Sequence, residues 1–435
     1  MNNFQTILVA VFISFFVFGV LVFSGVINIG SGNKNIVRGK VIIWGTLPYS
    51  LVGETIRGVN GTSTDLVVDY QEKQPDTYQS ELTEAFAQDK GPDLFILPPD
   101  MILKNNNFIY KIPYASYSEK NFTNTYIDGA NILLSKDGVL GYPLLVDPLV
   151  LYFNKNMLSN ESLLYPPSSW DELFSFGDKL TKKKSDGSIQ ESMIALGQYD
   201  NVNHARDIIS MLLFQSGNSI IERTNTGYRL AIKDAVLSGD LPFEQIIKFF
   251  LEFSNPSNTV YSWNRSMPNS FDVFTSGKLA FYIGYASELF KIQSVNPNLS
   301  FDVTTIPQTK GSNIKRTYGN MYTLVISKKS KNLTSSFGTA NLIIAPDILK
   351  ELAIEMSIPT ANRSLLNIKP QDPYLQTFYN SAIISNTWLD PDQNQTNNII
   401  KELIENSISN KLPIQQAIDK AYNQLDLIVR TNYAK

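Results

Sequence analysis

The stretch that decides the fold is Tyr142-Pro-Leu-Leu-Val-Asp-Pro-Leu-Val-Leu-Tyr-Phe-Asn-Lys-Asn156. It consists of two apolar runs separated by Asp147-Pro148. A proline in the middle of a run removes a hydrogen-bond donor from a sheet ladder, so the pattern predicts two strands and a crossing between two packed units. A carboxylate beside such a crossing is expected to lie near the cleft between the units, where small-molecule sites are common.

Length and composition exclude several classes of protein. The chain has 435 residues, of which 43% are hydrophobic and 18% are charged, and this supports more than one core. A net charge of -3 provides no basic field for nucleic acid, so no nucleic-acid partner is expected. The absence of cysteine excludes disulfides, thiolate zinc sites and cysteine nucleophiles. We also expect no metal and no cofactor, because the chain has one histidine and none of the glycine motifs that bind phosphate or dinucleotides.

An apolar segment stands near the start of the chain. Residues 7–29 contain no charged side chain, and as a helix they would be roughly 35 Å long, against about 30 Å of bilayer hydrocarbon. We predict an uncleaved transmembrane anchor within residues 1–30, because no Lys or Arg precedes the span and no A-x-A cleavage site follows it. A cleaved signal peptide and a buried helix are the alternatives. Lys34, Arg38 and Lys40 follow the span, and the positive-inside rule would place the large domain in the cytoplasm.

The first part of the predicted domain has the pattern of a parallel sheet. Residues 31–40 are small and polar and are expected to form a flexible tether. Val41–Trp44, Asp65–Tyr70 and Asp93–Leu97 have the composition of short strands, and apolar residues at helical spacing from Tyr78 to Phe86 separate the last two. A strand, a helix and a strand of this length predict a parallel βαβ unit.

Helix signals dominate after residue 147. Ser169-Trp-Asp-Glu172 fits a capping box that opens a helix through Leu180. Asn203 is predicted to cap the next helix. His204 is expected to be solvated or helix-capping, because no G-x-S-x-G motif accompanies it. Asp390-Pro-Asp392 is expected to form a turn that caps a helix, since the glycine and glutamate of a calcium loop are missing.

Several aromatic residues stand near predicted strand ends or in loops, where we expect them to be exposed. They are Trp44, Trp263, Tyr285, Tyr318 and Trp388. Flat rings with polar neighbours suit sugars, whose C–H faces stack on rings while their hydroxyls hydrogen-bond to Asp and Asn. The set therefore favours a carbohydrate-binding cleft.

The order and spacing of several short motifs resemble those of the extracellular solute-binding proteins of family 1, the maltose-binding-like clade that delivers sugars to ABC importers. The motifs that carry the resemblance are Val41-Ile-Ile-Trp44, Gly91-Pro-Asp-Leu-Phe95, Gly141-Tyr-Pro-Leu-Leu-Val-Asp147 with Leu151-Tyr-Phe-Asn-Lys155, Pro167-Ser-Ser-Trp-Asp-Glu-Leu173, Phe274-Thr-Ser-Gly-Lys-Leu-Ala280 and Ile306-Pro307.

The resemblance implies a fold and an architecture. The expected fold is α/β, a two-lobed periplasmic-binding-protein-like clamshell of type II with crossing hinge strands, preceded by the N-terminal transmembrane helix. Lobe 1 would comprise residues 41–147 and 307–355, and lobe 2 residues 148–306 and 356–435. In this family the two lobes close on ligand, and the closed form docks on the permease.

The resemblance also implies binding residues, partners and a location. The implied ligand-binding residues are Trp44, Asp100 and Asp147 from the first lobe and crossing, Trp263, Tyr285 and Trp388 from the second lobe, and Tyr318 and Asn320 where the chain crosses back. No catalytic residue is expected. The implied partners are a small carbohydrate and the permease subunits of an ABC importer, and the protein is expected to be a monomer. We expect a single-pass protein of the cell membrane with its domain outside, because a ligand clamp facing the cytoplasm would have nothing to collect for import.

Two other functions stay open at this point. A surface glycoside hydrolase would use an Asp/Glu pair whose separation the sequence does not supply. A ligand sensor would use the same two-lobed clamp without a transporter.

Overall fold

The computed structural model describes residues 38–225, 227–234 and 242–433. The segment predicted as a membrane anchor and most of the predicted tether lie outside the described residues. Strand β1 begins at Gly39, so the last two positions of the predicted tether belong to the folded domain. Within the described ranges, no helix is both long enough and apolar enough to cross a bilayer.

The strands of the described chain are β1 (Gly39–Gly45), β2 (Leu66–Glu72), β3 (Leu94–Leu97), β4 (Leu134–Ser135), β5 (Gly138–Val139), β6 (Tyr142–Asn154), β7 (Lys182–Lys183), β8 (Ile189–Ile194), β9 (Ile221–Arg223), β10 (Tyr228–Leu230), β11 (Leu279–Tyr285), β12 (Phe301–Thr304), β13 (Thr317–Ile326) and β14 (Ser385–Asn386).

The α-helices are α1 (Tyr49–Gly61), α2 (Pro75–Ala87), α3 (Pro99–Asn105), α4 (Glu119–Thr125), α5 (Lys155–Asn160), α6 (Glu172–Leu180), α7 (Ala205–Gln215), α8 (Pro242–Glu252), α9 (Ser270–Thr275), α10 (Leu289–Val295), α11 (Leu333–Ile343), α12 (Pro346–Met356), α13 (Arg363–Leu366), α14 (Pro373–Ile383), α15 (Gln393–Ile408) and α16 (Ile414–Tyr433). Two 3₁₀ helices cover Asp128–Leu133 and Ala286–Glu288.

The predicted parallel βαβ unit is present. Strand β1 pairs in parallel with both β2 and β3, and α1 and α2 connect these strands. The long sheet has the order β2-β1-β3-β13-β6-β11-β8-β7. Because parallel strands end at the same sheet edge, Trp44 at the end of β1 and the loop that leads from β3 to Asp100 lie on one edge of the first lobe.

The prediction of two strands separated at Asp147-Pro148 is wrong. The whole segment Tyr142–Asn154 is one strand, and it is the neighbours that change at the proline. Residues up to Pro148 pair with β13, where Gly319 opposes Pro148, and residues from Leu149 pair with β11, where Tyr285 opposes Leu149. Pro148 is therefore the last residue of the ladder with β13, next to the first residue of the ladder with β11.

Two hydrophobic cores divide along this strand. Residues Tyr142 to Val146 of β6 belong to the first core, and residues Leu149 to Tyr152 belong to the second. The described chain thus has the predicted α/β architecture of two lobes. Ile358, Ala361 and Leu365 pack in the first core, which favours a later limit for lobe 1 than residue 355, and the limits of the lobes stay a prediction.

Two predicted helix starts differ from the structure. The capping box predicted at Ser169 does not form, because the amide of Glu172 donates to the backbone carbonyl of Ser169 and α6 begins only at Glu172, after Asp171. Glu172 instead accepts from the amide and hydroxyl of Ser168 and from the hydroxyl of Ser169. The prediction that Asn203 caps the next helix is wrong. Its side-chain oxygen accepts from the amide of Phe271 at 3.1 Å and thus satisfies the start of α9, because the loop before α7 folds over that helix.

Gly129 is in close contact with strand β14, which pairs with β13. A Cβ added at Gly129 would stand 2.2 Å from the carbonyl oxygen of Ser385 in β14, and backbone cannot move aside cheaply. We expect Gly129→Ala to lower the free energy of unfolding by about 2 kcal/mol. The measurement is urea unfolding followed by tryptophan fluorescence. Gly61→Ala is the control, because nothing lies within 4 Å of its Cβ position, and equal stability of the two variants would contradict the expectation.

Candidate functional site

Asp147 lies where β6 passes from one lobe to the other, and its residue is only 3% exposed. The pairing of β6 with β11 brings the 3₁₀ turn after Tyr285 against it, and the amide of Ser287 donates to its carboxylate at 3.0 Å. Burial raises the pKa of Asp147 to about 7, although the hydrogen bonds from Ser287 oppose this shift. Asp147, predicted from the strand pattern, is therefore a buried carboxyl at the junction of the lobes, and its burial disfavours the ionised form.

Glu288 organises the second-lobe side of this junction. Its carboxylate accepts from the hydroxyl of Tyr282 and the amide of Tyr285, both at 3.0 Å, and lies 3.2 Å from a ring nitrogen of His204. Burial alone would lower the pKa of His204, but the hydrogen bond and the charge of Glu288 raise it above its ordinary value. His204 has a φ of 60°, a left-handed conformation that turns the chain into α7.

Arg206 connects three elements at the start of α7. Its guanidinium donates to Asp207 at 2.9 Å and to Asp390 at 3.1 Å, and it lies 3.9 Å from the carboxylate of Asp100 in the first lobe. Burial raises the pKa of Asp100, and it raises the pKa of Asp390 to about 6, while Arg206 opposes both shifts. The predicted Asp100 is thus brought to a charged cluster that spans the two lobes.

Two predicted tyrosines line this cluster. The hydroxyl of Tyr285 donates to Asp207 at 2.8 Å, and its ring meets the ring of His204 edge to face at 4.7 Å. Tyr318, on the crossing strand β13, is 4% exposed and stacks on Phe214 of α7. Both rings are therefore packed at the junction, and their side chains connect α7 with the crossing strands.

Trp388 lines a cavity between the lobes. The cavity has a volume of about 250 Å³ and lies at the C-terminal end of α7. It is lined by Ile132, Phe214, Gly217, Asn218, Ser219, Ile220, Ile221, Ile314, Arg316, Asn386, Thr387 and Trp388. A second cavity of about 350 Å³ is adjacent, since it shares Ile132 and Ile221 with the first, and we call the two cavities together the groove.

The other predicted residues are placed differently. Asn320 opposes Asp147 across the β6 and β13 ladder, so it stands at the junction. Trp44 is 9% exposed, with the ammonium of Lys73 3.7 Å from its ring centre; its indole N–H has no partner among the described residues. Trp263 is fully buried, and its indole N–H donates to Asn201 at 3.0 Å.

The expectation that these aromatic rings are exposed is wrong. Trp44, Trp263, Tyr318 and Trp388 are all at least nine-tenths buried. Trp44 and Tyr318 lie within strands β1 and β13, and the segments that carry Trp263 and Trp388 pack into the second core. The consequence is greatest for Trp263, which belongs to the second core and offers no open ring face. We therefore leave Trp263 out of the candidate site.

Several residues of the charged cluster escaped the sequence prediction. They are His204, Arg206, Asp207, Glu288 and Asp390. One signal was available, because α7 is apolar on almost every face from Ile208 to Phe214 and a helix of this kind is buried, so Arg206 and Asp207 in its first turn need buried partners. Asp390 does take part in a turn before α15, but it binds Arg206 and the hydroxyl of Thr396, and it is Asp392 that caps the helix.

The arrangement is suited to hydrogen bonding of a polar ligand. In the described part of the chain, no group of three or more His, Cys, Asp or Glu side chains is placed to hold a metal ion, and the Arg206 guanidinium binds two of the clustered carboxylates. A guanidinium donates to hydroxyls, amide groups both donate and accept, and an indole ring provides a flat apolar surface. The groove, whose lining includes Arg316, Asn386 and Trp388, therefore has the chemistry for a hydroxylated molecule with an apolar face.

The raised pKa of Asp147 predicts a pH effect on stability. Between about pH 4 and pH 7 the folded state retains a proton that the unfolded chain releases, so stability from this group falls as pH rises through this range. Asp147→Asn keeps the acceptor for Ser287 without the charge. Relative to the unmodified chain, we expect Asp147→Asn to raise the free energy of unfolding by on the order of 2 kcal/mol more at pH 8 than at pH 5.

The measurement is chemical unfolding at the two pH values. Asp178→Asn is the control, because Asp178 is exposed on α6. An equal increase in the free energy of unfolding for Asp147→Asn at both pH values would contradict the raised pKa of Asp147.

Known structures share the fold of this chain. A cyclic alpha-maltosyl-1,6-maltose binding protein from Arthrobacter globiformis has a TM-score of 0.74 at 13% identity, with 91% of this chain and 100% of that chain covered. A cyclo/maltodextrin-binding protein complexed with maltotetraose gives 0.72 at 16% identity, over 92% and 99%. The sugar-binding protein MalE from the phytopathogen Xanthomonas citri gives 0.72 at 15%, over 90% and 98%. These similarities confirm the two-lobed, periplasmic-binding-protein-like α/β fold.

Sequence comparison identifies the family. No curated protein sequence shows significant similarity to the chain. The family model of the bacterial extracellular solute-binding proteins matches residues 60–377, a region that includes β6, Arg206 and β13. This match covers most of the chain and confirms the resemblance that the short motifs indicated. The chain therefore belongs to the bacterial extracellular solute-binding protein family.

Proposed function

We propose that this protein is a membrane-anchored extracellular solute-binding protein that captures a carbohydrate between its lobes and delivers it to an ABC importer. The proposed ligand is a mono- or oligosaccharide, and no covalent bond of it is broken. The proposal combines the family with the chemistry of the groove, since the family alone does not specify the solute.

The groove beside Trp388 is the observation that carries the proposal. An indole ring stands there with the amides of Asn218 and Asn386 and the guanidinium of Arg316. A sugar needs this combination, because its ring has an apolar face and its rim carries hydroxyls that both donate and accept. The structurally similar proteins support a saccharide, since their names include maltodextrin-binding and cyclic maltosyl-maltose-binding proteins.

The crossing strands provide the hinge for the proposed capture. Strands β6 and β13 run antiparallel to each other through the junction, and a ligand that contacts both lobes stabilises the arrangement in which they are close. Asp100, Asp147, Tyr285, Tyr318 and Asn320 are the proposed polar contacts at this junction. The proposed lobe limits are residues 41–147 with 307–355 for lobe 1 and residues 148–306 with 356–435 for lobe 2. The packing of residues 358–366 in the first core favours a later limit than residue 355 for lobe 1.

The proposed anchor rests on the apolar run at residues 7–29. We expect protease added to intact cells to remove the domain, while a cytoplasmic control protein in the same cells stays intact. Detection of the C-terminal end of the chain by antibody gives the readout. Protection of the whole domain until the cells are broken would place it in the cytoplasm, as the charges after the span suggest, and would contradict delivery to an importer.

A thermal-shift screen against monosaccharides and oligosaccharides tests the ligand class. A ligand that binds only the folded state at 100 times its dissociation constant stabilises by about 2.7 kcal/mol, so we expect a clear rise in melting temperature with at least one sugar. The bound sugar recovered afterwards should be unchanged. A flat response to all sugars would contradict the proposal, and release of reducing ends would favour the glycoside hydrolase instead.

Two tryptophans give a matched test of the groove. Trp388→Phe removes part of the ring face that lines the cavity, and we expect it to weaken binding of the sugar found in the screen by about threefold to tenfold. Trp263→Phe changes an equally buried ring in the second core and should leave the affinity unchanged. Isothermal calorimetry provides both values. Equal affinities for the two variants would exclude Trp388 from the site.

A further inference from the structure

A large cavity of the described chain lies apart from the groove. It has a volume of about 540 Å³, and every residue that lines it comes from residues 198–265 or 407–414. Leu251, Ile408 and Ile414 in its lining pack against the second core, so we call it the second-lobe cavity. A cavity of about 440 Å³ adjoins it, and neither of the two shares a described lining residue with the groove.

Gln198 is a buried polar residue in the wall of both of these cavities, and it is only 7% exposed. In the part of the chain that the structure describes, its side-chain amide has no hydrogen-bond partner. Buried amides are almost always hydrogen-bonded, and one without a partner lowers the stability of the fold. This amide is therefore unfavourable for folding by itself and is free to bind a molecule in the cavity.

The loop that carries this glutamine is held from both sides. Gly197 has a φ of 85°, and a Cβ added there would stand 2.7 Å from the Cβ of Ser254. The side-chain amide of Asn201 donates to the carbonyl oxygens of Asn264 and Met267, at 2.9 Å and 2.8 Å. The wall is thus fixed by the fold, which reduces the entropy lost when a ligand binds to it.

Two opposite charges in the lining of the second-lobe cavity are unpaired. Arg265 is exposed, and its guanidinium forms no ion pair or hydrogen bond with a described residue. Burial raises the pKa of Glu252, and no neighbouring charge or donor opposes this rise. The third charged residue of the lining, Lys248, pairs with Glu244 on the same helix. Because the unpaired charges cancel, the cavity favours neither anions nor cations.

The rest of the lining is mainly neutral and polar. Asn255 and Asn410 add side-chain amides to that of Gln198. Amides both donate and accept hydrogen bonds, as the hydroxyls of a sugar do. Tyr261 and Pro256 provide apolar surface against which a sugar ring can pack. The volume also falls within the range of small-molecule sites, about 300 to 1,000 Å³.

We propose that the second-lobe cavity is a second binding site, separate from the groove, for a neutral saccharide. Gln198 exchanges hydrogen bonds with the hydroxyls of the sugar, Arg265 donates to them and Glu252 accepts from them. The inference goes beyond the proposed function, because the two sites share no lining residue among those described and the second holds whichever solute the groove binds.

Fluorescence titration of the full chain tests this site. The chain has no cysteine, so Ser409→Cys, in the lining of the adjoining cavity, can be labelled specifically with an environment-sensitive fluorophore. Glucose, maltotriose and mannotriose are the probes, and inorganic phosphate is the comparison. We expect a saturable change in fluorescence with at least one sugar and none with phosphate, because the unpaired charges of the lining cancel.

Two substitutions remove polar contacts of the site. Gln198→Met keeps the length of the side chain but removes the amide, and Arg265→Ala removes the guanidinium. We expect each to weaken the titrated binding by about threefold to tenfold. Arg430→Ala is the control, because Arg430 is an exposed arginine of α16 that lines neither cavity, and it should leave the affinity unchanged. Trp388→Phe changes only the groove and should also have no effect on this titration.

Urea unfolding separates a binding role of Gln198 from a structural one. Since its amide has no described partner, we expect Gln198→Met to be at least as stable as the unmodified chain. If Gln198→Met is less stable, Arg265→Ala decides, because Arg265 is exposed and unpaired. An affinity for Arg265→Ala equal to that of Arg430→Ala would overturn the proposal. So would a flat response to all three sugars, a response to phosphate alone, or a response that is lost in Trp388→Phe.

Discussion

Strand β6 belongs to both hydrophobic cores, and the rest of the molecule is arranged around this sharing. Its first half is held by β13 in the first lobe, and its second half by β11 and β12 in the second. A strand with ladders on each side of Pro148 cannot shift its register in one lobe without shifting the other, since a slip by one residue exchanges the buried and opposite faces. The two lobes are therefore held together by one shared strand.

The position of β6 between the two cores explains where the charged groups are. Asp147 is buried because Val146 before it packs in the first core and Leu149 after it packs in the second, and the turn at Ser287 supplies its hydrogen bond. Arg206 and His204 stand at the start of α7, where their carboxylate partners come from four separate parts of the chain. Buried charges are tolerated only with such partners, and removal of one partner leaves another uncompensated. The junction is thus a connected network of buried polar groups.

The groove lies at the C-terminal end of α7. Phe214 at its C-terminal end packs on Tyr318 and also lines the cavity with Trp388, so one helix connects the charged junction to the proposed sugar site. The hairpin of β9 and β10 borders the same groove.

The sequence by itself determined the local elements, the parallel βαβ unit, the family and the position of Asp147, because strand alternation, helix spacing and turn residues act over a few neighbours. Tertiary structure alone decided that Tyr142–Asn154 is one strand, that Trp263 is a core residue, and that Arg206 gathers Asp100, Asp207 and Asp390. These outcomes depend on residues far apart in the chain that meet only after both lobes have packed. The residues next to a proline or an aromatic residue in the sequence do not determine which sheet ladder or which core it joins in the folded protein.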